Sequence, residues 1–211
     1  MSNNRFSIKD ALQFGWNSWK NNAGFFIKLI AAYCGWALVL GILQVIAILN
    51  GAQWLEWALR LALRLYSYIA LIGFMVISIK YVRHQESHIS DLYINYRYLF
   101  KYLGAQMLYL AIVVLGLALL IIPGVIWSVK YQYAFYFILD NDTGIVDAFK
   151  KSGEITRGAI WQLILFSGLF YAINILGFLC LFIGMAVSYP VTKVAYAHIY
   201  RQLLEREPLV G

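Results

Sequence analysis

The sequence predicts an all-α, polytopic transmembrane bundle of six helices, and three observations carry that prediction. First, 62% of the 211 residues are hydrophobic and only 13% are charged, whereas a soluble globular domain is about half apolar and about a quarter charged. A chain of this size cannot bury so much apolar surface in its own core, so the excess is expected to face lipid. Second, apolar runs of about 20 residues, enough to cross a bilayer as helix, recur along the chain. Third, Lys and Arg gather in alternate connecting segments, which sets an orientation. The same figures argue against a disordered chain, a disulfide scaffold and a typical soluble enzyme.

In chain order, the first element is an amphipathic helix before the first apolar run. Ile8, Ala11, Leu12, Trp16 and Trp19 fall at helical spacing. Ser7 is placed to cap it, and Asp10 in the first turn favours the helix dipole. Residues 1–22 lack an apolar h-region and a small-residue cleavage site, so the first span is expected to serve as an uncleaved insertion signal. That span covers 29–49. Asn50-Gly51 marks a tight turn into a shorter, less clean span at 58–79. A second amphipathic segment, with Ile89, Leu92, Tyr93, Tyr96 and Phe100 on one face, leads into span three, 103–122. Pro123-Gly124 is expected to turn the chain into span four, 125–139. A third amphipathic segment begins at Ile145 and precedes span five, 160–183; Gly184 and Pro190 bracket the turn into span six, 185–199. The 15-residue spans are short and rely on packing and tilt.

Positive charge orients these spans. Arg5, Lys9 and Lys20 precede span one, and Lys80, Arg83, Arg97 and Lys101 flank the connection between spans two and three. Lys150, Lys151 and Arg157 lie between spans four and five, and Arg201 and Arg206 follow span six. The turns on the other side carry no Lys or Arg. Both termini are therefore expected to be cytoplasmic. This distribution, with attraction to anionic lipid, accounts for the net charge of +7 without nucleic-acid binding.

The segments before the long spans resemble one another. They read Ile8-Lys9-Asp10-Ala11-Leu12, Ile89-Ser90-Asp91-Leu92-Tyr93 and Ile145-Val146-Asp147-Ala148-Phe149, and ten residues after each aspartate stands Lys20, Lys101 or Arg157. The chain reads as one integral membrane domain, 1–211, of three units at about 7–82, 88–140 and 143–205, each an interfacial helix followed by two spans. Internal duplication and a convergent membrane grammar both explain the pattern.

Five cations fall outside the orienting set. Lys28, near the cytoplasmic start of span one, can snorkel to the headgroups. Arg60 and Arg64 share one helix face, with Glu56 placed four residues before Arg60. Lys130 and Lys193 lie several residues from either end of their spans, where a cation costs about 2.5–3.5 kcal/mol on insertion scales and turns to the bundle interior or to a wet cavity. Two readings are open for Arg60, Arg64, Lys130 and Lys193. Either they reach headgroup phosphates or backbone carbonyls, or the short spans line a cavity for an anion or an anionic lipid headgroup.

Catalytic patterns are missing. No Walker loop, nucleophile elbow, HExxH or pair of metal-binding carboxylates occurs. His84 and His88, with Glu86 between them, read as a solvated loop, and His198 as an interfacial residue. Asp140 and Asp142 read as a turn and helix cap. Cys34 and Cys180 read as small buried hydrophobes. Tyr131, Tyr133 and Tyr136, and the face shared by Tyr189, Thr192, Tyr196 and Tyr200, read as packing. No catalytic residue, metal or cofactor is expected.

The stretch Ile122-Pro123-Gly124-Val125-Ile126-Trp127 continues to Ala134, Asp140, Gly144, Asp147-Ala148-Phe149-Lys150-Lys151-Ser152 and Thr156-Arg157-Gly158. This resembles the YciC-like family of uncharacterised bacterial inner-membrane proteins, most clearly over residues 115–205. It is also similar to the membrane domain beside some glycerophosphodiester phosphodiesterases. The resemblance implies a bacterial inner-membrane location and a six-span bundle. It supplies no active site, because catalysis in the fused relatives belongs to a separate soluble barrel. The expected function is non-catalytic binding of anionic membrane lipid, supporting envelope integrity or a membrane complex. The alternative is a small transporter or flippase for an anionic or lipid-phosphate substrate. A homo-oligomer and a membrane-complex partner are both compatible with the sequence.

Overall fold

Helix accounts for 87% of the structure, and no strand occurs among the described residues, 6–179 and 183–205 of this computed structural model. The elements are α1 (Ile8–Asn21), α2 (Ala23–Leu49), α3 (Gln53–Val82), α4 (Asp91–Ile94) with a 3-10 turn at Asn95–Tyr98, and α5 (Leu99–Leu119). They continue with α6 (Ile121–Tyr131), α7 (Ala134–Asn141), α8 (Ile145–Ile155), α9 (Ile160–Leu179) and α10 (Ile183–Leu204). Four helical segments are long and apolar enough to cross a membrane: Ala23–Leu49, Gln53–Val82, Asp91–Leu119 and Ile160–Leu179.

The expected fourth span is not one helix. Gln132 and Tyr133 separate α6 from α7, and neither piece alone reaches the length of a span. The turn into α6 also differs. It falls at Leu120, which is extended at φ −165° and ψ 152°, while Pro123 and Gly124 sit in the first turn of α6. There a missing N–H costs little, because the first amides of a helix have no intrahelical partner. Gly124 serves helix packing: a Cβ there would stand 2.8 Å from the Leu117 amide nitrogen of α5. Gly184 and Pro190 likewise lie within α10 and do not bracket a turn. The Asn50-Gly51 turn stands as expected, with Gly51 at φ +66°, a conformation glycine adopts without steric cost.

Polarity sorts the helices into layers. Only 6% of the apolar window of α2 is buried, against 44% in α3, and α5 and α9 resemble α2 in exposing Leu110, Leu115, Leu165 and Leu176. Helices apolar on every side lose nothing by facing hydrocarbon. Those carrying Ser, Thr and Tyr need partners and move inward. The buried core accordingly comes from the second half of α3, from α7 and from α10, with Ile72, Ile77, Phe137, Ile138, Ala195 and Ile199 fully enclosed.

Of the three amphipathic segments, two form extended helices. In α1 the Ser7 hydroxyl accepts the Asp10 N–H at 3.2 Å, the expected cap. The helix then lies along α10: the Ser7 N–H donates to Gln202 Oε1 at 3.2 Å and Phe14 stacks on His198. Gly15 faces the Val191 carbonyl so closely that a Cβ would stand 2.3 Å from its oxygen. In α8, Ala148, Phe149, Ser152 and Ile155 are buried while Val146, Asp147 and Lys150 stay exposed. The middle segment is one α-turn and one 3-10 turn. Asn95 Nδ2 donates to the Asp91 carbonyl at 2.9 Å, a side-chain bond that competes with continued helix. Cys34, expected to be buried, is instead exposed on the lipid-facing helix α2 with a free thiol; Cys180, Arg5 and Arg206 lie outside the described residues.

Gly15→Val should force α1 off α10 at a cost of about 1–3 kcal/mol, the usual range for overpacking. Gly35→Ala, where nothing lies within 4 Å, should cost nothing. Thermal midpoints of the two variants in the same detergent check this.

Candidate functional site

The polar side chains that interrupt the apolar runs meet where α6, α7, α8, α9 and α10 come together. Because α6 stops at Tyr131, the Lys130 carbonyl is among the last of its helix and takes its donors from side chains. It accepts Ser152 Oγ at 2.8 Å and Thr156 Oγ1 at 3.2 Å, both brought by the buried face of α8. Two residues earlier the Ser128 carbonyl accepts the Tyr109 hydroxyl of α5 at 3.0 Å. Gln132, inside the break, accepts the Tyr196 hydroxyl at 2.7 Å, and Tyr196 also meets Ser167 Oγ at 3.0 Å.

This seam continues between α9 and α10. Asn174 Nδ2 donates to the Phe170 carbonyl at 2.8 Å and to Thr192 Oγ1 at 3.1 Å, and Ser188 Oγ donates to Asn174 Oδ1 at 3.4 Å. Tyr133, fully buried, stacks on Tyr200 and lies against Tyr136 and Tyr196. On this face of α10 Thr192, Tyr196 and Tyr200 are thus packed and bonded inward, and Tyr189 packs edge-on against Phe74. Gln132, Ser167 and Asn174 belong to the same seam without having been singled out in the sequence. Their signal is there as isolated amides and hydroxyls within apolar runs.

The four predicted site cations are not brought together. Arg60 pairs with Glu56 in the expected order and its guanidinium stands 5.0 Å from the Trp57 ring centroid. Arg64, one turn on, is exposed, with no acidic partner among the described residues. At 1.5 Å per residue, Arg60 stands roughly 30 Å along α3 from Lys80, about the thickness of a hydrocarbon layer. Lys130 is one residue from the end of α6 and turns toward α8: a Cβ on Gly153 would stand 3.1 Å from its Cε and 3.9 Å from its Nζ. Its expected place inside a continuous span is therefore corrected to a helix end. Lys193 does lie mid-helix, on α10. Its ammonium stands 5.4 Å from the Tyr189 ring centroid and 6.0 Å from that of Phe170, a cation–π setting. Among the described residues no carboxylate pairs with it.

Inter-helix ion pairs collect at one end of the bundle. Arg83 pairs with Asp140 at 2.8 Å, Lys101 with Asp142 at 2.6 Å and Lys80 with Asp91 at 2.8 Å. Arg201 donates to the Val82 carbonyl and pairs with Glu205. Of these groups Arg83, Asp140, Arg201 and Glu205 border a cleft of about 340 Å³ between α3, α7 and α10. Asp142 is the residue that ends α7, at φ +50°, so the turn assigned to it stands, and the ion pairs are additional. The Lys101 hydrogen bond holds the Asp142 carboxyl below the usual carboxylate range. The Asp140 side chain is only 2% exposed; burial raises its carboxyl above that range, with Arg83 and the Tyr200 hydroxyl opposing. His84, at φ +54°, packs edge-on against Phe14. Among the described residues no group of three His, Cys, Asp or Glu is placed to hold a metal ion.

No family model matches the chain, and no solved structure matches it. Uncharacterized proteins of Mycobacterium tuberculosis (Rv2560) and Mycobacterium bovis (Mb2590) are similar: each is 30% identical over 97 residues, 46% of this chain. The chain spans 30% of the length of these relatives.

Two outcomes test the site's energetics. Ser152→Ala combined with Thr156→Val should cost about 1–3 kcal/mol by leaving a buried carbonyl without a donor, read as a lower denaturation midpoint. Arg83→Met should cost a similar roughly 1–3 kcal/mol at neutral pH, because Asp140 keeps its charge without its partner. A carboxyl raised in the folded state stabilises most below its unfolded titration range and least above its folded one. The Arg83→Met deficit should therefore shrink as pH falls through the Asp140 range, read from midpoints measured across pH.

Proposed function

We propose that this chain is a non-catalytic protein of the bacterial inner membrane that holds anionic lipid headgroups on separate basic patches, supporting envelope integrity or a membrane complex. The observation that carries the reading is the dispersal of the cations. Arg60, Arg64, Lys130 and Lys193 stand on three helices with different neighbours, an arrangement suited to several headgroup contacts and poorly suited to one substrate cavity. Arg60 lies beside exposed Trp57, and the same stretch of α3 carries exposed Trp54 and Arg64, the mixture of cation and indole found at a membrane surface. Lys130 lies against α8, which also carries Lys150 and Lys151.

In this reading α6 and α7 together make the fourth crossing and α10 the sixth. The amphipathic helices α1 and α8 and the short α4 segment lie on the cytoplasmic side, with both termini. The positive charge at that end and the YciC-like resemblance support the assignment. A transporter or flippase for an anionic or lipid-phosphate substrate is the competing reading, and Lys193, mid-helix without a carboxylate partner, is the observation that favours it.

Native mass spectrometry of the detergent-purified protein tests both. The chain should retain phosphatidylglycerol in preference to phosphatidylcholine. Arg64→Ala and Lys130→Ala should each weaken retention roughly fivefold, as expected for about 1 kcal/mol per basic residue at a lipid surface. Unchanged retention in a variant combining Arg64→Ala, Lys130→Ala and Lys193→Ala would sink the lipid reading. Lys193-dependent flux of phosphate or labelled lipid across proteoliposomes would establish transport in its place.

A further inference from the structure

We infer that the groove between α2, α3 and α10 is a defined site for one anionic phospholipid, with an acyl chain in the groove and the phosphate toward Lys193. The inference rests on the lipid reading above and adds to it a single site, a chain position and an orientation.

The groove has a volume of about 430 Å³, within the roughly 300–1,000 Å³ of small-molecule sites. Ile30, Tyr33 and Cys34 of α2, Ala70 and Phe74 of α3, and Tyr189 of α10 form its walls. Phe74 meets Tyr189 edge-on at 5.2 Å between centroids, and Ala70, with no bulk beyond Cβ, leaves the space open. The outer faces of the flanking helices carry exposed Trp36, Leu38 and Leu65. Apart from the Tyr33, Ser67 and Tyr189 hydroxyls the walls are apolar, and a hydrocarbon chain covers that surface more favourably than water.

Charge selects the lipid and its direction. Tyr189 is both a wall of the groove and the ring beside which the Lys193 ammonium lies. That ammonium has no carboxylate partner among the described residues, so its charge is available to a phosphate. Lys193 stands one turn beyond Tyr189 toward the end of α10 at which Arg201 meets Val82 and Arg83 meets Asp140. A phospholipid with its phosphate at Lys193 therefore runs its chain away from the charged end. This is the orientation of a lipid already in the leaflet on that side. Lys193 is not itself a wall of the groove but stands against its Tyr189 wall, whereas Arg60, Arg64 and Lys130 neither border the groove nor lie against Tyr189.

The test uses the full chain in mild detergent with added phosphatidylglycerol or phosphatidylcholine. One phosphatidylglycerol per chain should survive a detergent exchange that strips the lipid held at Arg64 and Lys130. Ala70→Phe and Ala186→Phe, which fill the groove from different helices, should each cut its occupancy at least tenfold. Lys193→Met should abolish the preference for phosphatidylglycerol over phosphatidylcholine, and Lys193→Arg should keep it. On the unsubstituted protein, phosphatidylglycerol should slow alkylation of Cys34 by N-ethylmaleimide at least fivefold, a readout independent of whether the filled variants fold. Cys34 alkylation indifferent to lipid, or undiminished retention in both filled variants, overturns the groove site. Retention that still depends on Arg64 and Lys130 would then leave the broader lipid reading standing. A wild-type chain that retains no phospholipid overturns both.

Discussion

A helix cannot stop in apolar surroundings unless its last carbonyls find donors, and the bundle is arranged around one such stop. At the end of α6 the Lys130 carbonyl takes the hydroxyls of Ser152 and Thr156, which fixes α8 against the break. Gln132, freed from regular helix at the same place, takes the Tyr196 hydroxyl and fixes α10. The short α7 that follows is buried from Ala134 to Leu139. Its far end delivers Asp140 and Asp142 to the cations of α3 and α5. One interruption thus determines the neighbours of four other helices.

The layering follows from the same rule applied to whole helices. A segment such as α2, apolar all round, has no group that needs protein and can stand at the periphery. A segment such as α10 carries Ser188, Thr192 and Tyr196, whose side chains meet Asn174, Ser167 and Gln132 of neighbouring elements. The hydroxyl and amide bonds between α9 and α10 are short-range and directional, so they align the two helices more sharply than apolar contact would. Gly177 permits the approach, because a Cβ there would meet Ser188 Oγ at 2.3 Å.

Much of this was legible in the residues. The all-α class, the long apolar runs, the Ser7 cap, the Glu56–Arg60 pair and the Asn50-Gly51 turn all depend on neighbours within a turn or two of helix. The α6–α7 break was not, because Gln132-Tyr133 carries no Pro or Gly, while the conspicuous Pro123 sits harmlessly in a first turn. Pro190 misled in the opposite sense by lying inside α10. The pairs Arg83–Asp140 and Lys101–Asp142 join residues 57 and 41 apart, with no local spacing to announce them. The candidate cations were legible as individuals. Their scattering was not, since it depends on which helices become neighbours.

The docking of α1 along α10 also constrains the order of assembly. The Ser7–Gln202 bond joins residues 195 apart, and Gly15 awaits a carbonyl from Val191. At about 5–20 residues per second, α1 spends on the order of ten seconds or more on the ribosome before its partner exists. Throughout that time Ala11 and Gly15, buried in the finished bundle, have no protein surface to cover them. A helix made long before α10 is thus locked only once α10 exists, and until then the bundle lacks the surface that holds α1.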